Sequence, residues 1–337
     1  MNKKGGFLLR FGVSLAALAG LLYFLRGKLI ESFSLVTTGL AWTWFLAAVG
    51  VYVFAVILIS WRLQLIFRVQ GVKVTLTQSS YLSFLGHFFT LFFPSALGGD
   101  VAKGYYAYQY SGKKLGSLTG VVLDRLLGFV TLVVISVIAL LGYSRASSTP
   151  LVERSLYGAL GLLVFGTVFF TNHRFAQRFQ FLHVLVPSKK WKKSLGDLYH
   201  AIRNYQNHKG VLASSLAISF VAQFLFFLDV FLLGKSLGAR ASLSPYFVLT
   251  PLVAFVSMTP SLSGLGVREA GFVFFFKSVM SSEKALALSL AYDAVFYGLA
   301  IFAGIVFAFR GGLTKKAIHD LEEAEALQEV GQGGRND

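Results

Sequence analysis

The 337-residue sequence contains no cysteine, and only 14% of its residues are charged. The absence of cysteine excludes disulfide bonds and thiolate metal sites. A soluble globular domain has about 25% charged residues, so this chain has too little polar surface to cover a water-soluble body. Intrinsic disorder is excluded as well, because 55% of the residues are hydrophobic. These shortages indicate a membrane protein.

Acidic residues are also scarce, with 15 Asp and Glu against 31 Lys and Arg, which gives a formal net charge of +16. Most of the cations lie in short segments between long apolar stretches. That distribution is typical of membrane-protein loops, whose cations set the orientation of the chain and contact anionic headgroups. We therefore expect anionic lipid as a partner and no nucleic acid.

Apolar stretches of membrane-spanning length make up much of the chain. Crossing the hydrocarbon core takes roughly 20 apolar residues. Six stretches meet this length: Phe7–Leu25, Trp42–Phe67, Ser117–Gly142, Glu153–Thr171, Val211–Gly234 and Lys284–Phe309. The predicted fold is an all-α polytopic membrane protein with about six full transmembrane helices.

Two further apolar stretches are too short and are interrupted by proline and glycine. Gln78–Phe93 is followed by PSALGGD at 94–100, and Pro245–Met258 by TPSLSGLG at 259–266. Proline lacks an N–H group and glycine holds a helix poorly, so both segments are expected to break inside the membrane. We predict two re-entrant hairpins, the second of which returns through Val267–Val279.

The two breaks share the pattern Pro-Ser-x-x-Gly-x-x-Val, which begins at Pro94 and again at Pro260. Broken segments at corresponding places in two halves of a transporter mark a binding site near the membrane midplane. Hairpins that only fill a helical bundle would show the same breaks. We predict a possible inverted repeat with its site at the two breaks.

The distribution of Lys and Arg predicts the orientation. With both termini in the cytoplasm, the inside segments hold 19 of these residues and the outside segments hold 5. We expect one transmembrane domain over 1–312, a basic cytoplasmic loop at 172–209 and a cytoplasmic tail at 313–337. Four lysines of the loop are predicted to bind anionic inner-leaflet lipid: Lys189, Lys190, Lys192 and Lys193.

Charged side chains within the spans and breaks are the candidates for function. On insertion scales each costs about 2.5–3.5 kcal/mol at a helix centre. They either pair with one another and hold helices together, or bind a lipid headgroup. Asp229 is one such residue. Arg62, one turn from the inner end of its span, can also extend its charge to the membrane surface. The predicted headgroup-binding residues are Arg62, Ser95, Asp100, Lys103, Asp124, Arg125, Ser261, Arg268, Glu269 and Asp293.

Arg268 carries the sharpest of these predictions. It follows Gly264-Leu265-Gly266 at what we expect to be the start of a half-helix. A helix N-terminus with an adjacent arginine is well suited to bind phosphate.

Catalytic motifs are missing from the sequence, which has no GxSxG, no P-loop and no GxGxxG. The six histidines show neither i,i+4 pairing nor metal-ligand spacing. We expect no cofactor and no metal site, and the sequence favours a non-enzymatic role.

Three motifs carry a resemblance to a known family. They are FPSALGGD at 93–100, LDRLLG at 123–128 and PSLSGLGVRE at 260–269. In order and spacing they resemble the lysylphosphatidylglycerol synthase transmembrane (flippase-like) family, from Trp61 to about Phe309. Two positions depart from the family pattern: Asp124 stands where glutamate is more common, and Asp293 follows Tyr292 where a Tyr-Arg pair is common.

The resemblance implies a membrane domain that moves lipid between leaflets. In the founding members this domain is fused to a cytosolic aminoacyl transferase, which we do not find in this sequence. Relatives also accompany polyprenyl-phosphate and glycolipid pathways. The implied function is an inner-membrane translocase for a phospholipid or a polyprenyl lipid. The alternatives are a membrane subunit of a lipid-modifying transferase, and a non-transporting scaffold that recruits an envelope enzyme. A separate aminoacyl or glycosyl transferase is the expected protein partner.

The predicted orientation can be tested by labelling, because the chain has no native cysteine. A single cysteine at Ser188 should react with an impermeant maleimide only from the cytoplasmic side, and one at Ser147 or Ser242 only from the outside. Labelling of the Ser188 variant from outside would contradict the predicted topology.

Overall fold

The computed structural model describes residues 39–92, 98–142, 203–257 and 264–309, together with positions 158, 161 and 201. Apart from a 3₁₀ turn at Tyr205–Asn207, these ranges contain eight helices. In chain order they are α1 (Trp42–Val69), α2 (Leu76–Phe92), α3 (Gly98–Ser111), α4 (Lys114–Gly142), α5 (Lys209–Ser236), α6 (Leu243–Ser257), α7 (Val267–Phe276) and α8 (Ser282–Phe309).

The helices α1, α4, α5 and α8 are long enough and apolar enough to cross a membrane. They contain 28 or 29 residues each. At 1.5 Å per residue such a helix is about 42 Å long, which exceeds the roughly 30 Å of the hydrocarbon core. Four predicted spans are thereby confirmed as membrane-length helices. Phe7–Leu25 lies outside the described residues, as does Glu153–Thr171 apart from two isolated positions.

The helices α2, α3, α6 and α7 flank the two predicted breaks. They contain 17, 14, 15 and 10 residues, too few to cross a bilayer alone. Gly264 and Gly266 precede α7 with φ of 82° and 79°, a left-handed backbone that glycine adopts without steric cost. Segments 93–97 and 258–263 lie outside the described residues, so the re-entrant path of the hairpins stays a prediction.

One boundary differs from the expectation. The first break was predicted to continue through Asp100, but α3 already begins at Gly98 and holds Asp100 in its first turn. A carboxylate there is favoured by the partial positive charge of the helix N-terminus. Asp100 and Lys103 therefore lie on one helix.

The described helices fall into two halves with the same order of lengths. Each half runs long, short, short, long, as α1–α4 and then as α5–α8. The contacts between the halves correspond as well, because α2 packs against α8 while α6 packs against α4. The helices α1 and α5 pack against each other most extensively. This arrangement supports an internal repeat, and its inversion in the membrane remains a prediction.

Side chains from both halves form the largest buried cluster. It includes Tyr52 of α1, Leu233 of α5, Leu249 of α6, Phe272 of α7 and Leu288 of α8. Large apolar side chains also cover the outer surface, for example Trp42, Phe302 and Phe309, which are 62%, 64% and 88% exposed. Apolar surface on both sides of the helices is what a protein dissolved in lipid requires.

The crossing of α2 and α3 depends on two glycines. A Cβ at Gly99 would collide with the backbone carbonyl of Gly86. Backbone cannot move aside as a flexible side chain can, so these two positions set how closely the helices approach.

We expect Gly99→Ala to destabilise the protein by about 1–3 kcal/mol through this overpacking. Gly50→Ala is the matched control, because a Cβ there meets no atom within 4 Å. Alanine favours a helix over glycine by about 0.5–1 kcal/mol, so the control should be neutral or more stable. Thermal unfolding in detergent measures both. Equal melting temperatures for the two variants would contradict the close approach.

Candidate functional site

A cavity of about 400 Å³ lies among all eight helices. Its volume falls within the range of small-molecule pockets. Four charged side chains line it: Asp100, Lys103, Arg125 and Arg268. The cavity therefore brings together residues that follow both predicted breaks.

Asp100 organises the charges on one side of the cavity. Lys103 Nζ lies 3.3 Å from Asp100 Oδ1, and the Arg125 guanidinium forms an ion pair with the other carboxylate oxygen. Two cations thus share one carboxylate in this group. Charge-assisted hydrogen bonds of this kind are short and strong, and the surplus cation leaves the group able to accept an anion.

Arg268 occupies the other side and is 8% exposed. It forms an ion pair with Asp293, and its Nη2 donates a 2.7 Å hydrogen bond to Tyr297 Oη. Its guanidinium lies 5.3–5.5 Å from the ring centroids of Tyr292, Phe296 and Tyr297. These contacts hold the planar group in place. Its Nε has no hydrogen-bond partner among the described residues.

The two ion pairs occupy corresponding places with opposite polarity. Arg125 is the twelfth residue of α4, and Asp293 is the twelfth residue of α8. The partner of each lies in the first turn of a short helix, Asp100 on α3 and Arg268 on α7. The arginine of the pair is therefore on the long helix α4 in the first half and on the short helix α7 in the second half.

Aromatic side chains form most of the remaining wall. Tyr52, Phe226, Phe272, Tyr292 and Phe296 all line the cavity. Tyr52 lies at the centre of this group, with its ring centroid 5.5 Å from that of Phe226 and 6.5 Å from that of Tyr292. The charged groups therefore face a largely apolar surface, and electrostatic interactions are stronger in apolar surroundings than in water.

His87 also lines the cavity. Its Nδ1 lies 2.8 Å from the Ser83 carbonyl oxygen, and its ring packs 5.2 Å from Phe296. No group of three or more potential metal ligands occurs in the described part of the chain.

A protein-family model described as the lysylphosphatidylglycerol synthase TM region matches residues 7–304 of the chain, which is most of the sequence. This chain belongs to that family. Comparison with curated proteins and with solved structures returns no match. Its family and its long apolar helices together indicate a multi-pass membrane protein that is connected with lipid modification or translocation.

The structure places the predicted site residues in three groups. Asp100, Lys103, Arg125 and Arg268 line the cavity, and Glu269 and Asp293 are buried beside Arg268. Arg62 and Asp124 form a separate ion pair. Ser95 and Ser261 lie outside the described residues.

The separate pair connects three long helices. Arg62 Nε donates a 2.7 Å hydrogen bond to Asp124 Oδ1, and Arg62 Nη1 donates one of 2.7 Å to Ser219 Oγ. Neither charged side chain lines the cavity. The pair therefore joins α1, α4 and α5, as the pairing interpretation of these charges expects.

Sequence reasoning did not select several polar residues of the site. Tyr297 binds Arg268, while Gln223 and Thr250 line the cavity. Tyr297 follows Asp293 by four residues and so shares its helix face, a spacing that could have identified it. Gln223 and Thr250 carry no comparable signal, because only the packing of α5 and α6 brings them to the cavity.

We expect Arg62→Ala to destabilise the protein by about 3–5 kcal/mol, because it leaves a buried carboxylate without its base. The double variant Arg62→Met, Asp124→Leu should recover much of that loss. Arg68→Ala is the control, since Arg68 lies on the same helix and is exposed. Thermal unfolding in detergent reports the effect. A fully stable Arg62→Ala protein would show that the pair does not hold the helices.

Proposed function

We propose that this protein is a flippase-like lipid translocase. It would move an anionic or aminoacylated phospholipid, or a polyprenyl-phosphate-linked lipid, between the leaflets of the cell inner membrane. Family membership supports lipid as the kind of partner. The cavity and its charges supply the argument for a headgroup site.

The main support for a headgroup site is that three cationic side chains line one cavity. Lys103, Arg125 and Arg268 line it together with a single carboxylate, Asp100. We call these three residues the cavity cations. A phosphodiester carries one negative charge and accepts charge-assisted hydrogen bonds, and a guanidinium can donate two in parallel. A lipid phosphate is therefore a chemically matched ligand.

The short helices add to this match. The first turn of α3 contributes Gly99 and Asp100 to the cavity, and Gly264 and Arg268 contribute from the start of α7. Helix N-termini carry a partial positive charge and free N–H groups, which favour phosphate. Broken helices with their ends at one site are the arrangement found in secondary transporters.

A headgroup would occupy the cavity while the acyl chains remain in the bilayer. The first break is proposed to reach the site from the cytoplasmic side and the second from the outer side, with both termini in the cytoplasm. Ser95 and Ser261 would lie in these breaks, and Lys189, Lys190, Lys192 and Lys193 would hold anionic lipid at the inner surface.

Membership of a family named for a synthase favours a second candidate, a membrane subunit of a lipid-modifying transferase. Such a subunit would present its lipid to a separate aminoacyl or glycosyl transferase. It would bind phosphate in the same cavity and would not exchange lipid between leaflets on its own. Transport by the purified chain therefore separates the two candidates.

The test uses purified protein in vesicles of phosphatidylethanolamine and phosphatidylglycerol with a trace of tail-labelled phosphatidylglycerol. A membrane-impermeant reductant bleaches only the label in the outer leaflet. Vesicles with protein should lose nearly all fluorescence as inner-leaflet lipid emerges, and empty vesicles about half. Binding without exchange would favour the transferase subunit.

We expect Arg268→Lys and Lys103→Gln each to slow this exchange about 10- to 100-fold. One charge-assisted hydrogen bond is worth about 1.5–3 kcal/mol. Lysine cannot copy the two-pronged donor of Arg268.

Lys277→Gln is the matched control for Lys103→Gln, because Lys277 is exposed at the end of α7 and does not line the cavity. Its exchange rate should equal that of the wild type. Thermal unfolding of each variant identifies any loss that comes from instability. Wild-type exchange by a stable Arg268→Lys protein would contradict phosphate binding at the cavity cations.

A further inference from the structure

Two carboxyl groups are buried beside one arginine at the α7–α8 side of the cavity. Glu269 is 4% exposed and Asp293 6%, beside Arg268 at 8%. Arg62, the other buried base in the described part of the chain, is engaged by Asp124. Unpaired carboxylates are very costly in an apolar interior. If both acids were ionised, one guanidinium could not balance them.

The hydrogen bonding of this region is incomplete. Oε2 of Glu269 has no hydrogen-bond partner among the described residues, and neither do the carboxyl oxygens of Asp229. Glu269 directly follows Arg268 in α7, and Asp293 is the ion-pair partner of Arg268. Two ionised carboxylates with one guanidinium would leave a buried negative charge, whereas one proton on the pair removes it. The burial of both acids is therefore consistent with one proton held by the pair.

Arg268 links this pair to the cavity. It lines the cavity and forms an ion pair with Asp293 at the same time. A lipid phosphate that binds Arg268 from the cavity would compete with Asp293 for the guanidinium.

We propose that Glu269 and Asp293 form a proton-binding site coupled to lipid phosphate at Arg268, so that the protein takes up one proton with each lipid it binds. This inference rests on the proposed function and adds a second ligand, the proton, to the same transport step.

The coupled step balances in atoms and charge. Before binding, the pair holds one proton, and the Asp293 carboxylate neutralises Arg268. An incoming phosphate oxygen accepts the hydrogen bonds of Arg268 and displaces Asp293. A proton from water then forms an O–H bond on the freed carboxylate, and no electron is transferred. Arg268 has one anionic partner in both states, so no unpaired buried charge is created.

The helices α2, α5 and α7 pack against α8, which carries Asp293. Asp229 of α5 is a further buried acid. Lys103 and Asp100 lie across the cavity. Other titratable and charged side chains of the surrounding helices include Tyr52 of α1, His87 of α2, Tyr246 of α6, Arg268 and Glu269 of α7, and Tyr292 and Tyr297 of α8.

The first measurement is proton uptake on lipid binding. Purified protein in weakly buffered detergent with a pH-indicating dye receives dihexanoyl phosphatidylglycerol, and calorimetry records binding in parallel. The wild type should take up about one proton per bound lipid. Asp293→Asn should bind the lipid without proton uptake. Glu283→Gln, an acid in the first turn of the same helix, is the control and should take up protons as the wild type does.

The second measurement uses the vesicles described above with a transmembrane pH difference of one unit. Coupling of one proton to one singly charged anionic lipid is electroneutral, so the labelled phosphatidylglycerol should redistribute up to about tenfold between leaflets at equilibrium. The redistribution should vanish when an ionophore collapses the pH difference.

The outcomes separate this inference from the proposed function. Lipid binding or fast exchange by the wild type without proton uptake or redistribution overturns the coupling and leaves the translocase intact. Undiminished proton uptake by both Asp293→Asn and Glu269→Gln overturns the assignment to this pair, and using both variants covers the case in which one fails to fold. No lipid binding and no exchange by the wild type overturn the translocase and the coupling together.

Discussion

The cost of placing ionisable side chains in an apolar bundle is the constraint on which the arrangement of this protein depends. The described helices meet it by pairing acid with base between elements. Arg62 is bound to Asp124, Arg125 to Asp100, and Arg268 to Asp293. Each pair joins two different helices, so neutralising charge also fixes how those helices pack. Pairing is incomplete at Asp229, whose two carboxyl oxygens have no hydrogen-bond partner among the described residues.

The pairs differ in their access to the cavity. The Arg62–Asp124 pair is enclosed between long helices and has Ser219 as a further partner. Arg125 and Arg268 lie at the cavity with partners from the first turns of α3 and α7. An ion pair that can exchange its anion for a ligand is useful at a binding site, whereas an enclosed pair only stabilises. Access to the cavity, more than residue type, distinguishes the two kinds.

The sequence alone predicts the helices well and the contacts poorly. Unbroken apolar runs identify α1, α4, α5 and α8, because length and hydropathy are local properties. The two Pro/Gly breaks likewise locate the short helices. Pairing is not local: Arg62 and Asp124 both carried the signal of a charge within a span, but only helix packing shows that they bind each other. The cavity depends on all eight helices, so residues such as Gln223 could not be recognised from sequence.

The opposite polarity of the two cavity pairs has a consequence for how such a site can be encoded. Two identical half-length chains related by a twofold axis would place the same residue at both corresponding positions. Arg125 and Asp293 could then not differ. A pair whose acid precedes its base in the chain could not share one cavity with a pair whose base precedes its acid. A single continuous chain lets each half carry its own residues. This asymmetry gives the two sides of the cavity different charged groups, which a symmetric dimer of halves could not do.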